Sequence, residues 1–401
     1  MAIDNKNKVL NVPHLRFPEF SGEWVTCTLG DITSSFNLRN KDEVPYPMYS
    51  VTNNRGFIPQ SEQFEDREMI GEDAKAYKII HKDDFAYNPA RINVGSIAKY
   101  NGVHPCMISS LYVCFKAGLQ VDKDWLMQLL KTSKMNFYYN INGEGGVRVY
   151  LFYPNFARIR TSYPATLTEQ KKIAHFLSLL DERIATQNKI IKDLKKLKSA
   201  IIENIFNDRY SNKLRLGDVG SYIRGLTYNN NDVVEQGEVL VMRSNNIING
   251  SSLDYNNNIV SVTKQISAEQ QLQNGDVVIC MANGSSSLVG KSSFYDGKCL
   301  SPITVGAFCG IYRSKESIVK WLFQTNRYHR CIWNSLQGGN GAIANLNSED
   351  ILRMSFPLPD KSTTEHCIKL LSSLDSLIEN YVSLGLKFSQ QKEYLLQQMF
   401  I

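Results

Sequence analysis

Apolar residues recur in alternating steps of four and three along two long segments of the chain. In the first, Ile173, Leu177, Leu180, Ile184, Ile191, Leu194, Ile201 and Ile205 keep this rhythm, interrupted at Gln187 and Lys198. In the second, Cys367, Leu371, Leu374, Ile378, Tyr381, Phe388, Leu395 and Met399 keep it, interrupted at Gly385 and Lys392. A 3.5-residue period held over about five heptads predicts an antiparallel coiled coil of two long helices. The same pattern is compatible with two core helices of one globular domain. A lysine in a seam sets register at a cost in stability, and a local slip onto Leu197 and Leu396 would take the lysines out of it. Thr166-x-x-Glu169 and Ser362-x-x-Glu365 follow Pro164 and Pro359 with the spacing of capping boxes, which predicts where the helices begin.

The remaining sequence repeats itself. "LGDI" at Leu29 returns as "LGDV" at Leu216, "DWL" at Asp124 as "KWL" at Lys320, and "FLSLLD" ending at Asp181 as "LLSSLD" ending at Asp375. "VGSIAKYNG" (Val94 to Gly102) returns as "VGKSSFYDG" (Val289 to Gly297), each with the Asn-Gly or Asp-Gly of a strand-turn element. Their common order implies a duplicated, domain-sized unit. The expected fold is α/β of the α+β kind: two similar globular domains (1–165 and 214–360), separated by two long helices (166–213 with its linker, and 361–401).

Searches for catalytic chemistry return little. "ANGSSSLVGKSSF", Ala282 to Phe294, looks like a phosphate-binding loop, but five residues rather than the required four separate Gly284 from Gly290. "HPC" at His104 lacks the H-x-E element and second cysteine of a zinc deaminase, so metal binding is not expected. "NPAR" at Asn88 shares only its first two residues with the adenine methyltransferase motif. His175 and His366 read as capping or surface residues rather than bases. Eight cysteines form no C-x-x-C pair, which suits reduced thiols. No signal pattern and no long apolar run occur in the sequence, so the expectation is a cytoplasmic protein without membrane contact. A net charge of +6 is compatible with a polyanionic partner.

Polar loops in both halves supply what a nucleic-acid surface needs, since Arg pairs with guanine, Asn with adenine, and Lys and Ser with phosphate. The candidates in the first half are Arg39 and Lys41, Asn54 and Arg55, Asn88, Arg91 and Asn93, then Arg148 and Tyr150. In the second half they are Arg224 and Tyr228, Arg243, Asn245 and Asn246, Ser286 and Lys291, then Asn340 and Asn345. Solvated turns would use the same residues.

The opening "VPHLRFPEFSGEW", the paired "LGDI" and "LGDV", and the helix starts "TEQKKIAHFLSLLD" after Pro164 and "TTEHCIKLLSSLD" after Pro359 together resemble the specificity (S) subunit of type I restriction-modification systems. The likeness covers almost the whole chain, with His366 departing from it where the first copy has Gln170. It implies a non-catalytic subunit whose two target-recognition domains each read one half of a bipartite, asymmetric sequence in double-stranded DNA. It further implies that the helices dock two methyltransferase subunits, and that motor-endonuclease subunits join the complex. S-adenosylmethionine, ATP and Mg would then sit on the partners, with no cofactor in this chain. Helix residues facing away from the seam, Gln170, Arg183, Lys189, Lys192 and Lys195, would contact partners. Two rival functions are a self-contained adenine DNA methyltransferase and a DNA-independent coiled-coil scaffold.

Overall fold

A computed structural model describes residues 10–63, 74–145, 149–207, 209–255, 257–336 and 344–401. The chain forms two compact units: residues 1–188 with 383–401, and residues 189–382. The boundaries cut through both long helices, Leu167–Ile205 and Lys361–Met399.

In the first unit an antiparallel sheet runs in the order Thr33–Phe36, Val113–Ala117, Phe85–Tyr87, Ile97–Lys99. Tyr87 and Phe115 project from its buried face onto Phe156, each with ring centroids 5.3 Å away, and Phe85 stacks on Phe115 at 5.0 Å. Two short ladders, Tyr49–Thr52 with Gly56–Pro59 and Lys78–Ile80 with Cys106–Ile108, carry a second small core. The second unit uses the same strand order: Gly220–Arg224, Cys309–Ser314, Val277–Cys280, Ser292–Phe294. Its second sheet is larger, and Val239–Met242 pairs in parallel with Ile303–Val305 there. In each unit a two-stranded ladder beside the long helix closes the domain: Val25–Thr28 with Arg160–Tyr163, and Lys213–Arg215 with Ser355–Pro357.

The helix ends are built into these cores. In the first unit Ile173, Ala174 and Leu177 pack with Leu395, Leu396, Met399 and Phe400 around Trp125. In the second, Ile202, Ile205 and Phe206 pack with Leu371 around Trp321. In both units the helices therefore run antiparallel, the start or end of one against the opposite end of the other. Each fully buried Leu, Ile or Phe contributes on the order of 1.5–3 kcal/mol, so packing rather than intrinsic propensity holds the helix ends in place.

The periodic positions are withdrawn from solvent to different degrees. Ile173, Leu177, Ile205, Leu371, Leu374, Ile378, Leu395 and Met399 are buried, and Leu180, Ile184, Ile191, Leu194, Ile201 and Phe388 are half-buried. Gln187 and Lys198 are buried too, so the interruptions belong to the seam. Leu197 is 51% exposed, which rules out the slip on the first helix, although Leu396 is buried beside Leu395 on the second.

Each lysine finds a carboxylate. Lys198 Nζ lies 2.6 Å from Asp375, and Lys392 Nζ lies 2.5 Å from Asp181. The two aspartates end the matching segments "FLSLLD" and "LLSSLD", so each unit holds one such pair. Asp375 also accepts from Trp321 Nε1 at 3.0 Å, and Asp181 from Gln128 Nε2 at 3.0 Å, tying helix seam to globular body in both cases.

One helix start is corrected. Asp360, not Ser362, caps the C-terminal helix: its carboxylate accepts from Thr363 N at 3.0 Å and Thr363 Oγ1 at 2.8 Å. A carboxylate is the stronger acceptor for the orphan amides, and it precedes Ser362 in the chain. At the first helix Thr166 accepts from Glu169 N at 3.3 Å, but the Glu169 side chain is drawn elsewhere. It is buried against Arg16, which donates through Nε at 2.7 Å and Nη2 at 2.8 Å, and against Trp24 Nε1 at 3.3 Å.

Candidate nucleic-acid interface

In the first unit the segment after Phe85–Tyr87 turns back on itself before Ile97–Lys99. Asn88 Oδ1 accepts from Ala90 N at 3.0 Å, and a 3₁₀ turn over Ile92–Val94 ends at Gly95 with φ +95°. A side chain at Gly95 would come within 2.9 Å of Asn53 O, so glycine allows this loop to sit against the hairpin turn that bears Asn54 and Arg55. Arg91 is exposed, and Asn93 Nδ2 donates to Asn140 Oδ1 at 3.0 Å on the helix Ser133–Asn142. Around this corner Val94, Phe137, Ile141, Tyr150 and Phe152 are all exposed. Tyr150 and Phe152 stack, with centroids 6.3 Å apart. Arg39 and Lys41 stand apart on the smaller lobe, where Arg39 bridges Lys78. Arg55 pairs with Glu62 at 2.8 Å on the surface. Asn88 is half-buried and spent on its own loop.

The second unit repeats the corner with different chemistry. Asn283 Oδ1 accepts from Ser285 N at 3.0 Å, a 3₁₀ turn covers Ser286–Leu288, and after Val289 the loop reaches Gly290 at φ +83°. The chain then enters the strand Ser292–Phe294. A phosphate-binding loop would deliver a helix N-terminus at that point, so the Gly-Lys-Ser run has no nucleotide-cradling geometry. Ser286 is exposed and Lys291 half-buried. Asn345 pairs with Ala282 across a short ladder, which brings it beside this loop. The helix Asn326–Leu336 exposes Trp333 here, where the first unit's helix exposes Phe137 and Ile141.

Tyr228, Arg243 and Asn245 meet in a cleft of about 330 Å³ with Phe308 and Gly306. Arg224 lies exposed at the end of its strand. Asn246 does not belong to the surface. It is fully buried, accepts from Arg243 N at 2.8 Å, and donates to Asp254 O at 3.0 Å and Asn257 O at 2.6 Å. Its hydrogen-bond capacity is spent on holding the loop. Arg148 and Asn340 lie outside the described residues.

Gln170 is likewise corrected from partner contact to core. It is fully buried, with Oε1 accepting from Asp122 N at 2.6 Å and Nε2 donating to Pro164 O at 2.8 Å and Gln120 O at 3.1 Å. Its counterpart His366 is exposed and bonds to Ser362 O at 2.8 Å. Lys189, Lys192 and Lys195 are exposed, and Arg183 lies over the Phe388 ring at 4.7 Å. The outer helix faces also carry apolar residues that charge patterning alone does not pick out: Leu179, Leu197, Leu370, Leu377, Leu384 and Leu386 are exposed. A second apolar phase alongside the seam was the sequence signal for them.

The surroundings do not favour acid–base or thiol chemistry. The cysteines are free thiols, and burial pushes those of Cys106 and Cys114 up to about 12. Among the described residues no three His, Cys, Asp or Glu side chains come together as a metal site would require, and no helix is long and apolar enough to cross a membrane.

Residues 210–382 match the family described as the type I restriction modification DNA specificity domain. Two curated relatives are similar: the StySPI specificity subunit of Salmonella potsdam, 31% identical over 169 residues, and the EcoKI specificity subunit of Escherichia coli K12, 30% over 171. Each alignment covers 39% of this chain and 35% of the relative, so the chain spans about a third of the length of the curated relatives it matches. The type I restriction-modification S subunit from M. genitalium shares the fold, with a TM-score of 0.58 at 12% identity over 97% of this chain and 99% of that one. A chain solved in work on assembly and conformational transition of the type I R-M system gives 0.52 at 12% identity, over 94% and 97%. The mixed α+β architecture with a long helix is thus that of type I specificity subunits. The family match lies in the second unit, and the first unit has the same strand order in its main sheet.

Proposed function

We propose that this chain is the DNA sequence-specificity subunit of a type I restriction-modification complex, reading a bipartite, asymmetric target with one half assigned to each unit. The observation that carries this reading is the specificity domain at residues 210–382, joined to a first unit whose main sheet has the same strand order and whose corner loop also ends on a left-handed glycine. The two corners expose different side chains, which supports unlike half-sites. The chain itself is non-catalytic in this proposal: the methyltransferase and motor-endonuclease subunits bring S-adenosylmethionine, ATP and Mg. Two methyltransferase subunits dock on the outer helix faces, for which the exposed leucines and the lysines 189, 192 and 195 are suited. The setting is cytoplasmic.

The test is co-expression with the type I methyltransferase subunit of the same genome in a host free of adenine methylation, followed by methylation mapping. A two-part motif, unchanged when the motor subunit is absent, is the expected result. A formed complex that leaves DNA unmethylated would count against the proposal, and methylation by this chain alone would move the chemistry onto it.

A further inference from the structure

We infer that the cleft bounded by Leu226, Tyr228, Arg243, Asn245, Gly306 and Phe308 is a slot for one unstacked nucleobase of the target duplex, an inference that rests on the DNA-recognition reading above. At about 330 Å³ the cleft is at the small end of ligand cavities. That is the scale of a single nucleoside, not of a peptide or a duplex groove.

Three backbone amides of its floor are engaged within the fold. The amides of Leu226, Gly306 and Cys309 donate to Val305 O at 2.7 Å, Met242 O at 2.9 Å and Gly306 O at 2.8 Å. A phosphate site would keep such amides free. The walls are aromatic instead: Tyr228 is half-buried, and Phe308 is 66% exposed. Neither ring contacts another aromatic side chain among the described residues. At Gly306 a Cβ would stand 3.5 Å from Tyr228 Cε1, so the glycine leaves that ring clear on the cleft side.

The rim supplies edge-reading groups. Among the described residues Arg243 uses one Nη2 bond, to Asn258 O at 3.3 Å, and keeps its other side-chain donors. The exposed Asn245 carboxamide makes no hydrogen bond among the described residues, in contrast to Asn246 beside it. A free carboxamide offers a donor and an acceptor side by side, the pattern that pairs with the N6/N7 edge of adenine. Its acceptor half would be wasted on phosphate. Stacking surface below, with a donor-acceptor pair above, fits a base turned out of its stack.

The test uses the purified complex and duplexes carrying the mapped target, with single abasic positions scanned through the half-site. For the wild type, one abasic position should weaken binding about tenfold, the scale of base–aromatic stacking. Phe308→Ala and Asn245→Ala should each bind the intact duplex more weakly, and the same abasic position should then cost them less than about twofold, while Phe308→Tyr restores the wild-type response. Both side chains are exposed, so folding is not at stake. If both variants bind the intact target as the wild type does, the slot is wrong although DNA recognition stands. If the wild type binds no sequence selectively, the recognition reading itself fails. Equilibrium dialysis with dAMP, dGMP, dCMP and TMP supplies the other arm: mononucleotide binding lost in Phe308→Ala, with duplex binding unchanged, would assign the cleft to a free nucleotide and overturn the proposal.

Discussion

Removing Asp375 tests what the seam ion pairs do. The Lys198 and Asp375 side chains are 7% and 10% exposed and 2.6 Å apart, and burial holds the Lys198 ammonium below the usual lysine value, with Asp375 opposing that shift only in part. Asp375→Ala would leave a buried cation with no anion, which costs about 3–5 kcal/mol. For a unit of this size that lowers Tm by about 6–20 °C. Lys198→Met should cost less, since Asp375 keeps Trp321 Nε1 at 3.0 Å and Lys320 at 3.4 Å. The double variant Lys198→Met/Asp375→Leu removes both charges and should be more stable than Asp375→Ala, because a buried pair replaced by apolar groups is often near neutral. Asp181→Ala is the internal comparison. Its carboxylate is 45% exposed, so the pair with Lys392 contributes only about 1 kcal/mol.

The pH response carries a sign of its own. With Asp375 gone, no anion offsets the burial of Lys198, which keeps only the Gly250 carbonyl at 3.1 Å, so the unfolded chain binds the proton more tightly than the folded one. Stability then rises with pH, and the deficit of Asp375→Ala should shrink between neutral pH and the ordinary lysine range. The assay is thermal unfolding of the full chain, followed across pH. A Tm for Asp375→Ala within about 2 °C of the wild type, or a double variant as damaged as the sum of the singles, would refute the reasoning.

Gln170→Ala should lower the stability of the first unit by about 2 kcal/mol through its lost buried hydrogen bonds, as read by urea unfolding, whereas Lys192→Ala should leave unfolding unchanged. Leu384→Asp with Leu386→Asp should reduce co-purification of the methyltransferase subunit without shifting Tm by more than about 2 °C, since both leucines are exposed. Lys291→Ala should weaken DNA binding only a few-fold and reduce the slope of log affinity against log salt by about one, as measured by fluorescence anisotropy. A loss confined to one sequence would instead make Lys291 a base reader.

Much of the helix pair was legible because periodicity is a physical constraint that a sequence must satisfy. Even its polar interruptions at Lys198 and Lys392 occupied seam positions, and the aspartates that answer them, ending "FLSLLD" and "LLSSLD", were visible as matching positions, though not as partners. The surface residues were less legible. Asn245 and Asn246 are adjacent and identical in type, yet one faces the cleft while the other is consumed by three loop hydrogen bonds. Nothing in composition separates them, because the difference is set by the turn that only the folded backbone defines. Gln170 was misplaced for the same reason: a polar residue on the outer arc of a helix reads as solvated until a loop closes over it.

The first unit is assembled from two stretches that lie far apart in the chain, and Leu15 N donates to Gln398 O at 2.9 Å to join them. Synthesis therefore does not complete the units in numerical order. The continuous second unit, residues 189–382, can close its core while the first still lacks Leu395, Leu396, Met399 and Phe400. Until those residues leave the ribosome, the core around Trp125 lacks one of its packing faces, and exposed apolar surface of that kind invites aggregation or chaperone binding. Residues 395–400 are thus a late clasp on a unit whose other stretch was made before the second unit.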